Sequence, residues 1–351
     1  MAAATVRPVG RFDLDTLHVQ LQEWAATHYH EGVSVPLPEV MPGHAGLSFG
    51  FRVEHHGEVL DELVVRLPPR GVRRSGNTDV LRQVPLLRAL GAHGVPVAPV
   101  PWWDADERWF GVPYMMTTKL PGATYAVRDP DPVVGDLSPG DALGLALEAL
   151  AAVHTFDWRT HLAEWEEPKR LADEIRFWEP ILAKSAGHDS IEPAWIELGE
   201  TVRDRLLATT PEGGDVGVFH GDFQTNNVLF RDGELVAVLD WEISGIGQQL
   251  LDVGWLLMMN DVESWADGAS LPTLPPFEGL VTRYAAASGR RVALADVAWF
   301  RALAGYRFGV ISCFNVMLHR SGKRPDPEWD RIAPSIPYLF GRAAELLGDV
   351  R

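Results

Sequence analysis

The chain has 351 residues, 46% of them hydrophobic and 23% charged, with a mean hydropathy of -0.05. Its formal charge of -17 argues against nucleic acid as a partner and suits either a cationic substrate or plain solubility. The single cysteine, Cys313, excludes an internal disulfide and fits a reducing cytoplasm, while no apolar run is long enough for a secretion signal or a membrane span.

A chain of this length is expected to fold as two lobes. Residues 1–118 read as a smaller, strand-rich lobe and 119–351 as a larger, mainly helical one. Leu14 to Tyr29 carries apolar residues at helical spacing. Pro42-Gly-His-Ala-Gly46-Leu-Ser48-Phe-Gly50 then leads into a strand from Phe51, and Glu58 to Leu67 returns. Glycines let backbone N–H groups approach phosphates, so this loop, Ser48 included, is a candidate nucleotide-covering element. Thr78 to His93 reads as a helix. Phe110 to Thr118 reads as the last strand of the lobe running into the hinge, where Met115 and Met116 either line a base pocket or pack as core and Thr118 is a candidate cofactor-binding residue. Pro121-Gly122 marks the lobe boundary.

In the larger lobe Ser138-Pro139 caps a helix running to His154. Helical periodicity returns at 170–183, 194–207, 250–259, 277–287 and 293–318, and Asp326-Pro327 opens a final helix towards Leu347. Val216–Phe219, Asn227–Phe230 and Leu235–Leu239 are β-prone, and Asp232-Gly233 is a hairpin turn between the last two.

The chemistry concentrates around that hairpin. In His220-Gly221-Asp222-x4-Asn227 an acid stands five residues before an Asn, and a second acid, Asp240, ends the return strand. This is the layout of phosphoryl transfer: Asp222 orients and deprotonates a hydroxyl, while Asn227 and Asp240 offer hard oxygen ligands to Mg²⁺ on ATP. His220 is expected to brace the loop. Glu242 faces either the metal and substrate or a salt-bridge partner. Asp252 either hydrogen-bonds the loop or serves only the dipole of its helix. Asp261, Glu263, Trp265, Asp267, Trp299, Tyr306 and Arg307 are candidates to line an acceptor pocket.

Competing patterns are also present. Gly46-x-Ser48-x-Gly50 matches the nucleophile elbow of serine hydrolases, which requires a strand, a sharp turn and a helix. Gly245-Ile-Gly247 lacks the third glycine of a dinucleotide fingerprint. His28/His30 and His55/His56 lack partners at metal-ligand spacing.

Three segments, His220-Gly-Asp222-x4-Asn227, Val238-Leu-Asp240-Trp241-Glu242 and Leu251-Asp252-Val-Gly-Trp255-Leu-Leu257, resemble the aminoglycoside phosphotransferase-like family. Its members are relatives of choline kinases and distant relatives of protein kinases. The Asp-Trp-Glu form is most similar to the branch of kinase domains associated with acyl-CoA dehydrogenases. The resemblance runs from about Pro42 to Arg342 and is specific between 219 and 257. It implies an α+β, two-lobed, protein-kinase-like fold: a small antiparallel-sheet lobe, a larger helical lobe, and ATP between them. It also implies Mg²⁺ and transfer of the γ-phosphate to a hydroxyl of a small molecule, without naming the acceptor. By the same resemblance Arg66 stands where a Lys grips the phosphates, and Gln83 where a helix Glu would pair with it. Arg retains the charge and the bidentate grip. Gln83 does not retain the acid, which keeps a regulatory, nucleotide-binding pseudokinase as the alternative, with Asp79 as a substitute partner. Oligomeric state is not legible in the sequence.

Overall fold

The computed structural model describes residues 12–41, 47–126, 130–268 and 274–348. They divide into two compact units: the described residues up to Gly122 together with Val236–Ile243, and Ala123–Leu235 together with the chain from Ser244. The sequence assigns 236–243 to the larger lobe; here this segment clusters with the smaller unit.

In the smaller unit Asp13 starts the first helix, α1 (Leu14–His28), by accepting from Thr16 N at 3.0 Å. The strands are β1 (Val33–Ser34), β2 (Glu39–Val40), β3 (Ser48–His55), β4 (Glu58–Arg66), β5 (Trp102–Asp104) and β6 (Tyr114–Thr118). They form one antiparallel sheet of order β1-β3-β4-β6-β5, with β2 also on β3. Leu17, Leu21 and Trp24 of α1 pack on Phe49, Phe51, Val65 and Met116. Strand side chains alternate between faces, so with Leu63 and Val65 in this core, Arg66 emerges on the other side.

The helix expected over 78–93 is shorter. Gly76–Thr78 and Val80–Arg82 are separate 3₁₀ turns, the second capped by Asp79, and only α2 (Gln83–Ala92) is α-helical. Asp79 favours capping over helix interior, and Pro85, which has no N–H, is accommodated in the first turn of α2.

The larger unit begins with β7 (Ala123–Thr124) and α3 (Pro139–Thr155), capped by Ser138 as expected, followed by α4 (Trp158–His161). The helix expected over 170–183 breaks into α5 (Leu171–Phe177) and α6 (Glu179–Ser185), because Pro180 cannot supply an interior N–H. After α7 (Pro193–Ala208) come β8 (Val216–Phe219) and β9 (Val228–Arg231), and β10 (Glu234–Val238) carries the chain towards the smaller unit. The turn between β9 and β10 has Asp232 and Gly233 both at positive φ (51° and 85°), as a two-residue hairpin demands. β11 (Gly245–Gln248) pairs antiparallel with β8, so Gly245 and Gly247 belong to a strand rather than a dinucleotide loop. Phe219 lies over both; a Cβ at Gly245 would come within 2.8 Å of its ring.

The helical core is built around α10 (Leu294–Arg320), packed by α6, α7, α8 (Leu250–Met259) and α12 (Ile336–Gly348), while α9 (Phe277–Ser288) lies on α3. The single final helix expected after Asp326-Pro327 is α11 (Glu328–Ile332), a 3₁₀ turn at Ala333–Ser335 and α12, interrupted at Pro334 and Pro337. Helix α8 comes very close to α10: a Cβ on Gly254 would lie 2.5 Å from the backbone of Phe300. Cys313 is buried in this core, and burial pushes its thiol up to about 12, as suits a packed rather than reactive cysteine. No helix among the described residues is long and apolar enough to cross a membrane.

Candidate active site

The loop that leaves β8 is held from beneath by one carboxylate. Asp252, in the first turn of α8 and fully buried, accepts from His220 N through Oδ2 and from Gly221 N through Oδ1, both at 2.7 Å. Gly221 has φ of +91°, a conformation that favours glycine, and this lets two successive N–H groups converge on Asp252. Asp252 therefore serves the loop directly.

A buried network surrounds Asp252. His154 Nε2 lies 3.2 Å from its Oδ2, and His154 Nδ1 lies 2.7 Å from the Tyr284 hydroxyl. A carboxylate can only accept, so His154 carries its proton on Nε2 and Tyr284 donates to Nδ1. Burial holds the His154 pKa below its ordinary value, against the opposing pull of Asp252, so the imidazole is neutral. Gln249 Nε2 donates to the carbonyls of His154 and Val218, and Arg290 reaches Gln249 Oε1 at 2.6 Å. His154 stands 98 residues before Asp252. No local spacing advertises that pairing, and the sequence reading missed it.

On this base the loop presents Asp222. Its Oδ1 accepts from Gln224 Nε2 and from Trp255 Nε1, each at 2.8 Å, and its Oδ2 accepts from Asn227 Nδ2 at 3.0 Å. Asn227 Nδ2 also donates to the Asp222 carbonyl at 2.9 Å. The 3₁₀ turn Thr225–Asn227 makes this five-residue reach possible. His220 is buried, and its Nδ1 accepts from Asp222 N at 3.3 Å, so it braces the loop as expected.

In the smaller unit, the end of β10 is fixed by Val238 N donating to Pro96 O and by the Trp241 indole donating to Val238 O. Asp240 between them adopts φ of +63°, a left-handed conformation that Asp tolerates better than most residues. Its carboxylate meets Arg66: Nη2 of Arg66 lies 2.7 Å from Asp240 Oδ1 and 2.7 Å from Glu242 Oε2. Desolvation of the guanidinium disfavours its charge, but the two carboxylates outweigh this and hold its pKa above the ordinary value. Glu242 is thus a salt-bridged acid. The expected Arg66–Gln83 bond is absent: Gln83 is buried, and its Nε2 has no partner among the described residues. Asp79 caps Leu81 N instead of meeting Arg66.

An Asp–Asn pair on a clamped loop, and elsewhere a second Asp with a basic partner, are residue types that kinase-type phosphoryl transfer employs. A model of the phosphotransferase enzyme family, APH, matches residues 39–302. The chain belongs to this phosphotransferase family. Similar proteins include probable acyl-CoA dehydrogenase IBR3 of Arabidopsis thaliana, 27% identical over 290 residues, covering 76% of this chain and 34% of the plant protein. The chain thus spans about a third of the length of the curated relatives it matches. Among solved structures, one from Ralstonia eutropha JMP134, provisionally assigned as an aminoglycoside phosphotransferase, superposes with a TM-score of 0.69 at 21% identity, covering 95% of this chain and 99% of that one. The GDP and kanamycin complex of APH(2″)-IIia gives 0.62 at 15% identity, covering 94% and 99%. These likenesses bear out the two-lobed kinase-like fold and the family resemblance, including its acyl-CoA-dehydrogenase-associated branch.

Other candidates for this phosphotransferase fall elsewhere. Ser48 opens the eight-residue strand β3 and pairs in register with Arg66; no helix follows it, so the hydrolase reading is excluded by geometry. The glycine loop before it, Pro42–Gly46, lies outside the described residues. Met116 is buried in the smaller unit's core, against the base-pocket reading, and Thr118 is half-buried, its N–H on Pro99 O. Trp299 and Tyr306 are core residues of α10 rather than pocket lining. Helix α10 packs against several helices, and its half-buried stripe is itself largely apolar, so its periodicity could not single out an exposed face. Asp261 is buried between Arg301 and Arg342. Trp265 packs on Phe308, 5.6 Å between ring centroids.

Proposed function

We propose that this chain transfers the γ-phosphoryl group of ATP to a hydroxyl of a small molecule, using Mg²⁺. The observation that carries the reading is the Asp222 carboxylate, fixed by Asn227 and Trp255 on a loop anchored by Asp252. Asp222 accepts the hydroxyl proton and points the oxygen at phosphorus. Most of the acceleration then comes from positioning and charge neutralisation.

The chemistry of Asn227 and of Asp240, each taken by itself, suits a magnesium ion. Asn227 commits its Nδ2 to Asp222, which leaves its amide oxygen as a ligand, and Asp240 is 39% exposed at its side chain. Mg²⁺ needs only one or two such protein oxygens, the remainder coming from phosphate and water. When bound, it neutralises developing phosphate charge. Arg66, kept charged by Asp240 and Glu242, grips phosphate oxygens. That Glu242 supplies the acid Gln83 lacks favours the active enzyme over a pseudokinase. Nucleotide use is supported by the GDP bound to APH(2″)-IIia and the AMP bound to LicA.

The test is ADP release over a panel of hydroxyl compounds, including amino sugars and other amino alcohols. Asp222→Asn is expected to lower turnover about a thousandfold while leaving MgATP affinity within about threefold. Turnover near wild type would remove Asp222 from its role.

A further inference from the structure

We infer that Trp255 is a positioning residue for the base: its indole N–H sets the direction of the Asp222 carboxylate. The inference rests on the proposed role of Asp222 and extends it to a residue outside the loop.

Asp252 and Trp255 stand three residues apart on α8, so they share one helix face. Asp252 holds the backbone of the loop through His220 N and Gly221 N. Trp255 holds its carboxylate, donating Nε1–H to Asp222 Oδ1 at 2.8 Å. Gln224, which also donates to Oδ1, is two residues along the same loop and moves with it. Trp255 is anchored independently, on the helical core.

That anchoring is specific. The Arg307 guanidinium carbon lies 4.9 Å from the Trp255 ring and 5.4 Å from the Trp178 ring, so the cation is placed against two indoles. Arg307 Nη2 also reaches the Gly221 carbonyl at 3.3 Å, linking α10 to the loop. Phe308 meets Trp255 edge-on at 5.9 Å and 90°. The close approach of Gly254 to the Phe300 backbone fixes α8 against α10 one residue away. Among the described residues buried Arg307 has no hydrogen bond at Nε or Nη1, and its ion pair with Glu174, 3.5 Å from Nε, complements the ring stacking. A carboxylate that must meet a hydroxyl in line tolerates little rotation, and a donor on a rigid helix restricts it.

The experiment compares wild type, Trp255→Phe and Asp222→Asn. Phe keeps a ring for Arg307 and Phe308 while deleting the N–H. Turnover is read as ADP release with MgATP and water as acceptor, MgATP affinity by calorimetry, and the Trp255 indole N–H by ¹H–¹⁵N spectroscopy. W255F is expected to lower kcat about tenfold with KM and Kd for MgATP within twofold, a split that general loosening would not give. In the wild type the indole resonance absent from W255F spectra is expected to shift in D222N. Wild-type kcat in W255F overturns the inference, as does an indole resonance unmoved by D222N. If D222N itself turns over normally, the base assignment fails, and the indole resonance still decides whether Trp255 holds Asp222; where the wild type releases no ADP to water, that resonance alone decides.

Discussion

The Asp222 loop of the larger unit and the Arg66–Asp240–Glu242 cluster of the smaller unit solve the placement of charge in opposite ways. Around Asp222 the support is a hydrogen-bond network built on the buried Asp252 carboxylate: it holds two loop N–H groups and an uncharged imidazole, while a buried indole and a half-buried amide hold Asp222. Around Asp240 the support is an ion pair with side chains 19–39% exposed and a residue in the left-handed region. A buried hydrogen-bond network is rigid, and each member is costly to remove. A partly exposed ion pair is less tightly held than a fully buried network and can exchange partners. The first arrangement suits a base whose direction must not vary. The second suits groups that must accept a charged nucleotide.

Removing Asp252 should separate the two regions most strongly. Asp252→Ala strips two loop N–H groups and His154 of their acceptor, and is expected to cost about 3 kcal/mol in unfolding free energy, measured by urea denaturation. A cost below about 1 kcal/mol would make the two regions alike.

Glu242→Gln should show the reverse profile: MgATP binding about tenfold weaker by titration, with stability changed by less than about 1 kcal/mol. Unchanged affinity would mean that Glu242 does not hold Arg66 for phosphate.

The smallest effect concerns pH. Burial lowers the folded-state pKa of His154 from 6.5, so below that value the unfolded chain takes up a proton that the folded protein refuses. Stability is therefore expected to fall as pH drops from 6.5 towards the folded pKa, by at most about 1.4 kcal/mol per pH unit from this group. In His154→Gln the decline should be shallower over the same window. Equal slopes would show that burial of His154 is not what makes the loop support sensitive to acid.

The sequence made the local parts of this design readable. The Asp222–Asn227 spacing is closed by a single 3₁₀ turn, and Asp232-Gly233 forms the hairpin its chemistry requires. Helix existence was legible from periodicity, but continuity was not: Pro180, Pro334 and Pro337 each interrupted a run whose apolar spacing continued through them. Partners far apart in the chain were also invisible. His154 and Asp252 stand 98 residues apart and meet only where the end of α3 comes to the start of α8, and Arg66 meets Glu242, 176 residues later, rather than the nearer Gln83. Trp299 and Tyr306 looked like pocket residues because the half-buried stripe of α10, with Ala298, Phe308, Ile311 and Phe314, is as apolar as its buried faces, so the pattern does not mark which face is free.

The most direct test of the central claim is calorimetric titration of the folded protein with ATP, with and without Mg²⁺, beside Asp240→Ala. The account predicts binding that requires Mg²⁺ and is lost in the variant. Binding indifferent to the metal and to Asp240, or no binding by the folded wild type, would contradict it.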